Sequence, residues 1–133
     1  MKERRDIAPE DVGPMVARGR KFFREFQEMP CPTIAALDGF ALGGGLEWAI
    51  RYGISSRQKL ILTNFSHDLR VASDDAKMGV TETKLAIIPG GGGTQNLSRL
   101  VGVSKAKELV FTARMINGVE AEKLGLVNKC GRS

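Results

Sequence analysis

Residues 41–47, Ala-Leu-Gly-Gly-Gly-Leu-Glu, constrain the fold more than any other part of the chain. The three glycines follow apolar residues 33–37, which predict a short buried strand, and precede a run that predicts a helix over 46–52. The first turn of such a helix has backbone N–H groups without intrahelical acceptors, at the positive end of the helix dipole. The turn is therefore suited to holding an oxyanion, with the Glu47 carboxylate beside it. Taken alone, the same glycines would equally serve tight packing.

The rest of the chain alternates helices, glycine turns and short strands. Helices are predicted at residues 9–28, 94–100, 105–113 (with Ser104 as the N-cap) and 119–124. Other predicted features are strands at 68–73 and 77–80, a loop at 81–83, a flexible turn at 89–94 and a strand start at 126–127. This alternation at short spacing is typical of an α/β layered fold.

Composition and charge exclude some classes of function. The 133 residues, 42% of them hydrophobic, are enough for one domain or part of one. Because apolar runs are short and the N-terminus is of mixed charge, we expect neither a membrane partner nor a secretory signal. The net charge of +5 is scattered, and one Trp and one Tyr give no pattern that would stack bases. The charge permits RNA binding without indicating it.

Residues suited to nucleophilic or metal chemistry are few. His67 is the only histidine, so a Ser-His-Asp or Cys-His arrangement would have to use it. Cys31 and Cys130 have no metal-ligand spacing and are expected to be reduced thiols. The glycines at 43–45 lack dinucleotide-binding spacing, and those at 90–93 lack the Gly-Lys-Ser/Thr of a phosphate-binding loop. We therefore expect no metal and no cofactor.

Two carboxylates, Glu47 and Glu82, are the candidates for acid–base chemistry. Taken alone, each is usually a solvated surface group. They would form an acid–base pair only if the fold brought them to one apolar pocket, where burial and repulsion separate their pKa values. Periodicity does not decide between these two interpretations.

Several segments, in order, resemble the signature of the crotonase (enoyl-CoA hydratase/isomerase) superfamily. They are residues 32–47 (Pro-Thr-Ile-Ala-Ala-Leu-Asp-Gly-Phe-Ala-Leu-Gly-Gly-Gly-Leu-Glu), 68–73 (Asp-Leu-Arg-Val-Ala-Ser), 77–79 with Glu82, 89–95 and 106–109. An ordered set of motifs is more specific than any one of them. The resemblance implies an α/β fold, here a partial crotonase-like ββα spiral core with helices. Residues 12–14 and 82–89 resemble a branch of the family that also binds AU-rich RNA.

The resemblance also implies an activity, the addition of water to an α,β-unsaturated acyl group carried as a coenzyme A thioester. The N–H of Gly44 would be one of two donors to the thioester oxygen. Glu47 would hold and deprotonate the water, and Glu82 would hold the same water and protonate the α-carbon. The acyl group would be 3-methylglutaconyl, as in leucine degradation, or a fatty acid β-oxidation intermediate. Lys84 is a candidate partner for a distal carboxylate.

Further implications concern partners and location. The family resemblance implies a homo-oligomer, a trimer or hexamer, and a mitochondrial location. Two alternatives to the lone enzyme stay open. One is an RNA-binding module, and the other is a non-catalytic subunit of a crotonase oligomer.

The sequence departs from the family pattern in three places. The segment that supplies the second oxyanion donor would precede Met1, the family's final helices would follow Ser133, and residues 51–67 look like an insertion. We therefore expect residues 1–133 to be a partial crotonase domain with an atypical insertion, a partial or variant gene product. Because one oxyanion donor is typically worth about 10²- to 10³-fold in rate, we expect weak activity or none.

Overall fold

The computed structural model describes residues 8–27, 30–51 and 69–132. The chain divides into two compact units, Met1–Pro30 and Cys31–Ser133. His67, Asp68 and all of the predicted insertion except Arg51 lie outside the described residues. Among the helices that are described, none has the length and apolar character needed to cross a membrane.

The first unit contains helix α1 (Pro9–Gln27), which confirms the predicted helix at 9–28; residue 28 is outside the described part. Pro9 occupies the first helical position, where a missing N–H is tolerated, and Glu10 and Asp11 follow in the first turn. Pro14 lies inside α1 and removes one backbone N–H donor. The apolar spacing predicted no break there, and the helix continues to Gln27.

The described part of the second unit contains five short strands in two parallel sheets. The strands are β1 (Ile34–Leu37), β2 (Phe40–Leu42), β3 (Leu69–Ser73), β4 (Lys77–Gly79) and β5 (Lys129–Gly131). One sheet has the order β1-β3-β5 and the other the order β2-β4. Because the β3–β4 pair lies parallel on the β1–β2 pair, the chain makes two successive turns of a spiral. The α/β class and the spiral core predicted from the sequence are confirmed, although β2 was not predicted as a strand.

Tight turns connect the two strands of each pair. Gly39, between β1 and β2, has a φ of 69°, and its carbonyl accepts a 2.7 Å hydrogen bond from the Lys77 N–H. At the other end of β2, the Gly43 N–H donates a 2.8 Å bond to the Gly79 carbonyl. The glycine turn that follows β2 is thus attached to the end of β4.

Four further α-helices and a 3₁₀ helix lie in the described part of this unit. They are α2 (Gly44–Ala49), the 3₁₀ helix (Glu82–Leu85), α3 (Gly93–Val101), α4 (Val103–Thr112) and α5 (Gly118–Lys123). The predicted loop at 81–83 was wrong, because this segment forms the 3₁₀ helix. Asn117, interpreted only as a helix breaker, is the N-cap of α5, where its Oδ1 accepts from the Glu120 N–H.

The prediction of Ser104 as an N-cap was also wrong. Gly102 ends α3 and caps α4, with a φ of 81° that favours glycine. Its carbonyl accepts the first α4 hydrogen bond, from the Ala106 N–H at 3.0 Å. Ser104 therefore lies inside the first turn.

Buried apolar side chains from both sheets and from α2 to α5 form one core. The α4 residues predicted to face inward, Ala106, Leu109, Val110 and Ala113, are all buried. The core cluster also includes Leu46, Ile50, Ala72, Ala76, Met78, Val80, Leu97, Ile116, Ala121, Leu126 and Val127. Because Leu46 and Ile50 belong to it, α2 is fixed along its whole length.

The predicted strand start at Leu126 and Val127 was wrong. Both residues are buried, but their N–H groups turn back to the Ala121 carbonyl at the end of α5, at 2.8 and 3.3 Å. The Leu126 carbonyl accepts a 2.8 Å bond from Nε of the buried Arg70. Because these backbone groups are already paired, the strand begins only at Lys129.

Candidate active site

Glu47 lies in α2, one turn after the glycine turn, with only 5% of its surface exposed. Its Oε1 accepts hydrogen bonds from the backbone N–H groups of Gly91 (2.9 Å) and Gly93 (2.8 Å). Its Oε2 accepts from the Gly91 N–H as well, at 2.9 Å. Amide N–H groups can only donate, so this arrangement suits an ionised carboxylate.

The segment from Gly91 to Gly93 was predicted as a flexible turn, but it closes on Glu47 at the start of α3. Gly92 has a φ of 98°, a left-handed conformation that favours glycine. A Cβ on Gly91 would lie 2.6 Å from Oε2 of Glu47, and one on Gly93 would lie 2.8 Å from Oε1. A side chain at either position would therefore displace the carboxylate.

Gly91 and Gly93 hold Glu47, a role that the sequence did not predict. The segment 89–95 was part of the family signature, but its four glycines before a helix are also what a flexible turn would show. The bonds to Glu47 span 44 and 46 positions, so no local pattern indicates them. The N-terminal end of α3 adds the positive end of a helix dipole beside the carboxylate.

Glu82 begins the 3₁₀ helix and is 9% exposed. Its Oε2 is buried and has no hydrogen-bond partner among the described residues. Burial raises the pKa of Glu82 above its ordinary value, a hydrogen bond from its own backbone N–H opposes the rise, and the charge of Glu47 adds to it. Glu82 is thus the carboxyl group more readily protonated than an ordinary glutamate.

The glycine turn at Gly43 lies against one of the two carboxyl groups and begins the helix that carries the other. Oε1 of Glu82 lies 2.8 Å from where a Cβ on Gly43 would stand, so the carboxyl group packs against this backbone. Gly43 has a φ of 51° and is the N-cap of α2, the helix that carries Glu47. The charge of Glu47 acts on Glu82, so the two carboxyl groups lie close enough to interact, in different surroundings. That they share one apolar pocket stays a prediction.

Gly44 is the first residue of α2, and it is exposed. N–H groups in the first turn of a helix have no acceptor within the helix. The oxyanion role of Gly44 stays a prediction, since it concerns a group that only a bound thioester would engage.

The sequence matches the family described as Enoyl-CoA hydratase/isomerase over residues 13–131. The chain belongs to this family. The crotonase resemblance inferred from the ordered motifs is thereby confirmed.

Members of the enoyl-CoA hydratase/isomerase family with curated sequences or solved structures resemble this one closely. The present chain is 48% identical over 128 residues to human mitochondrial methylglutaconyl-CoA hydratase, a match that covers 96% of this chain and 33% of that protein. The crystal structure of enoyl-CoA hydratase from Bacillus anthracis matches with a TM-score of 0.80 and 41% identity, over 99% of this chain and 45% of that one.

A third similar structure comes from Thermobifida fusca and was solved in complex with acetoacetyl-CoA. It has a TM-score of 0.67 and 33% identity, over 84% of this chain and 38% of that one. The present chain spans about a third of the length of the curated relatives it matches.

The structure describes three further residues that the sequence singled out, Lys84, Cys31 and Cys130, whereas His67 lies outside the described residues. Lys84 is exposed on the 3₁₀ helix, and its predicted contact with a substrate carboxylate stays a prediction. Cys31 and Cys130 are both free thiols. Within the described ranges no group of three or more His, Cys, Asp or Glu side chains could hold a metal ion.

Proposed function

We propose that this site adds water to the double bond of an α,β-unsaturated acyl-CoA thioester. The observation that carries the proposal is the pair of buried carboxyl groups at the Gly43 turn. Glu47 accepts amide hydrogen bonds through both oxygens, whereas Glu82 has a raised pKa and a buried oxygen with no partner in the described part of the chain. Two carboxyl groups in such different surroundings suit opposite acid and base roles.

In this mechanism Glu47 is the base and Glu82 the acid. Glu47 accepts a proton from a water molecule while the water oxygen bonds to the β-carbon. The electron pair of the double bond moves onto the thioester carbonyl, which becomes an enolate. Glu82 then donates its proton to the α-carbon, and the carbonyl re-forms. One proton must return from Glu47 to Glu82 to restore the starting state.

Both carboxyl groups are proposed to bind the same water. A carboxylate has about four lone-pair sites, and the amides of Gly91 and Gly93 occupy three of those on Glu47. The unpartnered Oε2 of Glu82 provides a second acceptor or, when protonated, a donor. Positioning of the water by both groups would supply the acid and base catalysis together.

The N–H of Gly44 is proposed as a donor to the thioester oxygen. It stands at the start of α2, after the Gly43 cap, while Glu47 lies in the same helix. A donor that meets the developing enolate charge typically contributes a few kcal/mol to transition-state stabilisation. The proposed base and the proposed oxyanion donor are therefore held by one short helix.

The acyl group is proposed from the relatives. The human relative is named for methylglutaconyl-CoA, and the Thermobifida fusca structure holds acetoacetyl-CoA. A methylglutaconyl group has a distal carboxylate, for which Lys84 is the proposed partner. Comparison of 3-methylglutaconyl-CoA with crotonyl-CoA, before and after Lys84→Met, tests this choice; equal effects on both substrates would reject the role of Lys84.

The hydratase proposal is tested by following loss of the conjugated double bond of crotonyl-CoA. Glu47→Gln and Glu82→Gln should each lower kcat by about 10²-fold or more, the usual range for acid–base catalysis. Glu25→Gln makes the same chemical change at an exposed glutamate of α1 that has no proposed role, and it should leave kcat unchanged. Retention of activity in either active-site variant would contradict its role. The weak activity expected from the sequence stays a prediction that the same assay checks.

Assembly into a homo-oligomer, a trimer or hexamer, is proposed as well. Large apolar side chains remain on the surface of this chain, including Phe40 (76% exposed), Ile88 (81%) and Phe111 (73%). Exposed apolar surface of this kind favours association with further protein. Size-exclusion chromatography with light scattering gives the mass; a monomer at micromolar concentration would reject the proposal.

Two further proposals concern location and RNA. A mitochondrial location is proposed because several relatives are named as mitochondrial enzymes, and imaging of a tagged protein against an organelle marker tests it. RNA binding stays a prediction that rests on the net charge and on the branch of the family. Filter binding to AU-rich RNA across a salt series decides it, since contact with phosphates must weaken as salt rises.

A further inference from the structure

The segment that carries Glu82 is a single short 3₁₀ helix of four residues. Its backbone bonds to flanking residues measure 3.2 Å (Lys84 N–H to the Thr81 carbonyl), 3.1 Å (Ala86 N–H to the Thr83 carbonyl) and 3.3 Å (Ile87 N–H to the Glu82 carbonyl). The helix ends at Ala86, which has a φ of 55°, a conformation that costs free energy for a residue with a Cβ. Because so short a helix has few internal hydrogen bonds, contacts with other elements must contribute to the position of Glu82.

The side chain of Thr83 makes a shorter bond to a different element. Its hydroxyl donates a 2.8 Å hydrogen bond to the carbonyl of Val110, in the last turn of α4. Carbonyls in the last turn of a helix lack intrahelical donors, so this bond satisfies both partners. The surrounding part of α4 is fixed in the core, because Leu109, Val110 and Ala113 are all buried.

We propose that Thr83 is a positioning residue, whose hydrogen bond to the Val110 carbonyl holds Glu82 at the distance from Glu47 that the reaction requires. This inference rests on the acid role proposed for Glu82. The bond attaches the residue next to Glu82 to a buried helix, while Glu82 itself packs against Gly43. Without it, the short 3₁₀ helix would lose its side-chain attachment to α4, and we expect Glu82 to be positioned less well relative to α2.

The kinetic test compares Thr83→Val, which keeps the shape and removes the hydroxyl, with Thr83→Ser, which keeps the hydroxyl. Thr83→Val should lower kcat for crotonyl-CoA by about 10- to 100-fold with KM changed less than about threefold, as expected for a misplaced catalytic group. Thr83→Ser should recover most of the loss. Thr112→Val is the matched control, because the Thr112 hydroxyl donates to the Glu108 carbonyl within α4. Full kcat in Thr83→Val, or equal losses in Val and Ser, would overturn the proposal.

A second measurement does not depend on activity. Titration of the Glu82 side-chain carboxyl by ¹³C NMR, assigned with Glu82→Gln, reports whether this group keeps its buried position. The raised pKa should move toward the ordinary value in Thr83→Val and return in Thr83→Ser; an unchanged pKa in Thr83→Val would count against the role of Thr83. Thr83→Ala is measured in the same way, so that a failure of Thr83→Val to fold does not decide the question.

The two measurements separate this inference from the proposed function. If the wild-type chain does not hydrate crotonyl-CoA while Thr83→Val shifts the Glu82 titration, the hydratase proposal fails and the positional role stands. If hydration depends on Glu82 but is unaffected by Thr83→Val, the hydratase proposal stands and the role of Thr83 is rejected.

Discussion

The backbone N–H of Gly93 donates a 2.8 Å hydrogen bond to Oε1 of Glu47, which lies 46 positions earlier in the chain. This contact joins the start of α3 to the middle of α2 and brings the two glycine-rich segments of the sequence to one site. Glu47 is consequently held by backbone groups, whose positions do not depend on a side-chain rotamer.

A methyl group at Gly91 should disable the site, because its Cβ would lie 2.6 Å from Oε2 of Glu47. Gly91→Ala is expected to lower kcat for crotonyl-CoA by about 10²-fold, the effect of a misplaced catalytic group. Gly90→Ala is the control, since no atom lies within 4 Å of its Cβ position, and kcat should stay near wild type. Equal activities of the two variants would show that the contact with Glu47 does not matter to the reaction.

Glu82 should make folding stability fall as pH rises. The folded-state pKa of Glu82 is raised above the ordinary 4.5, so the folded protein binds this proton more tightly than the unfolded chain does. Its contribution is fully present below pH about 4.5 and is lost as pH rises through the raised value. In Glu82→Gln this loss is absent, so the variant should gain stability relative to wild type across that range. Urea unfolding at a series of pH values measures the difference, and a constant difference would contradict the raised pKa.

Glu122 should show the opposite dependence. Hydrogen bonds from Cys130, side chain and backbone, and from Lys129 lower its pKa to about 2. Its contribution to stability is present above the ordinary 4.5 and is lost as pH falls toward 2. The advantage of wild type over Glu122→Gln should therefore shrink in acid. Chemical unfolding of both proteins between pH 2 and 6 checks the sign, and an advantage that grows in acid would refute the assignment.

Asn117, the N-cap of α5, should contribute more to the free energy of unfolding than Ser104, which the sequence suggested as the N-cap of α4. Asn117→Ala removes the acceptor for the Glu120 N–H and should lower the free energy of unfolding by about 1 kcal/mol. Ser104→Ala changes an exposed residue inside the first turn of α4 and should cost less than about 0.5 kcal/mol. Denaturant unfolding compares them. A larger loss at Ser104 than at Asn117 would contradict the observed caps.

The sequence predicted the elements whose signal is local. Helix α1 follows from its apolar spacing, β1 from a short apolar run between prolines and a turn, and the inward face of α4 from Ala106, Leu109 and Val110. Helix boundaries that are set by the backbone angle of one residue were harder to predict from the sequence. Gly102 with its positive φ both ends α3 and begins α4, so a good capping residue two positions later was misleading.

For the candidate site, the sequence indicated two carboxyl groups and could not show how they are held. Glu47 and Glu82 were identified, yet their convergence depends on stacking of the β3–β4 pair on the β1–β2 pair. The hydrogen bonds that orient Glu47 come from backbone N–H groups, and every residue except proline has one, so residue type carries no information about them. The same holds for the Val110 carbonyl that accepts from Thr83.

Gly102, the one residue between α3 and α4, has a consequence for the whole candidate site. At the start of α3, the Gly93 N–H donates a hydrogen bond to Glu47. In the last turn of α4, the Val110 carbonyl accepts one from Thr83, the neighbour of Glu82. Glu47 and Glu82 are thus attached to opposite ends of the α3–Gly102–α4 segment, and the distance between them depends on the angle between α3 and α4 at Gly102. A change of that angle would move the two carboxyl groups relative to each other while leaving the hydrogen bonds of each segment in place.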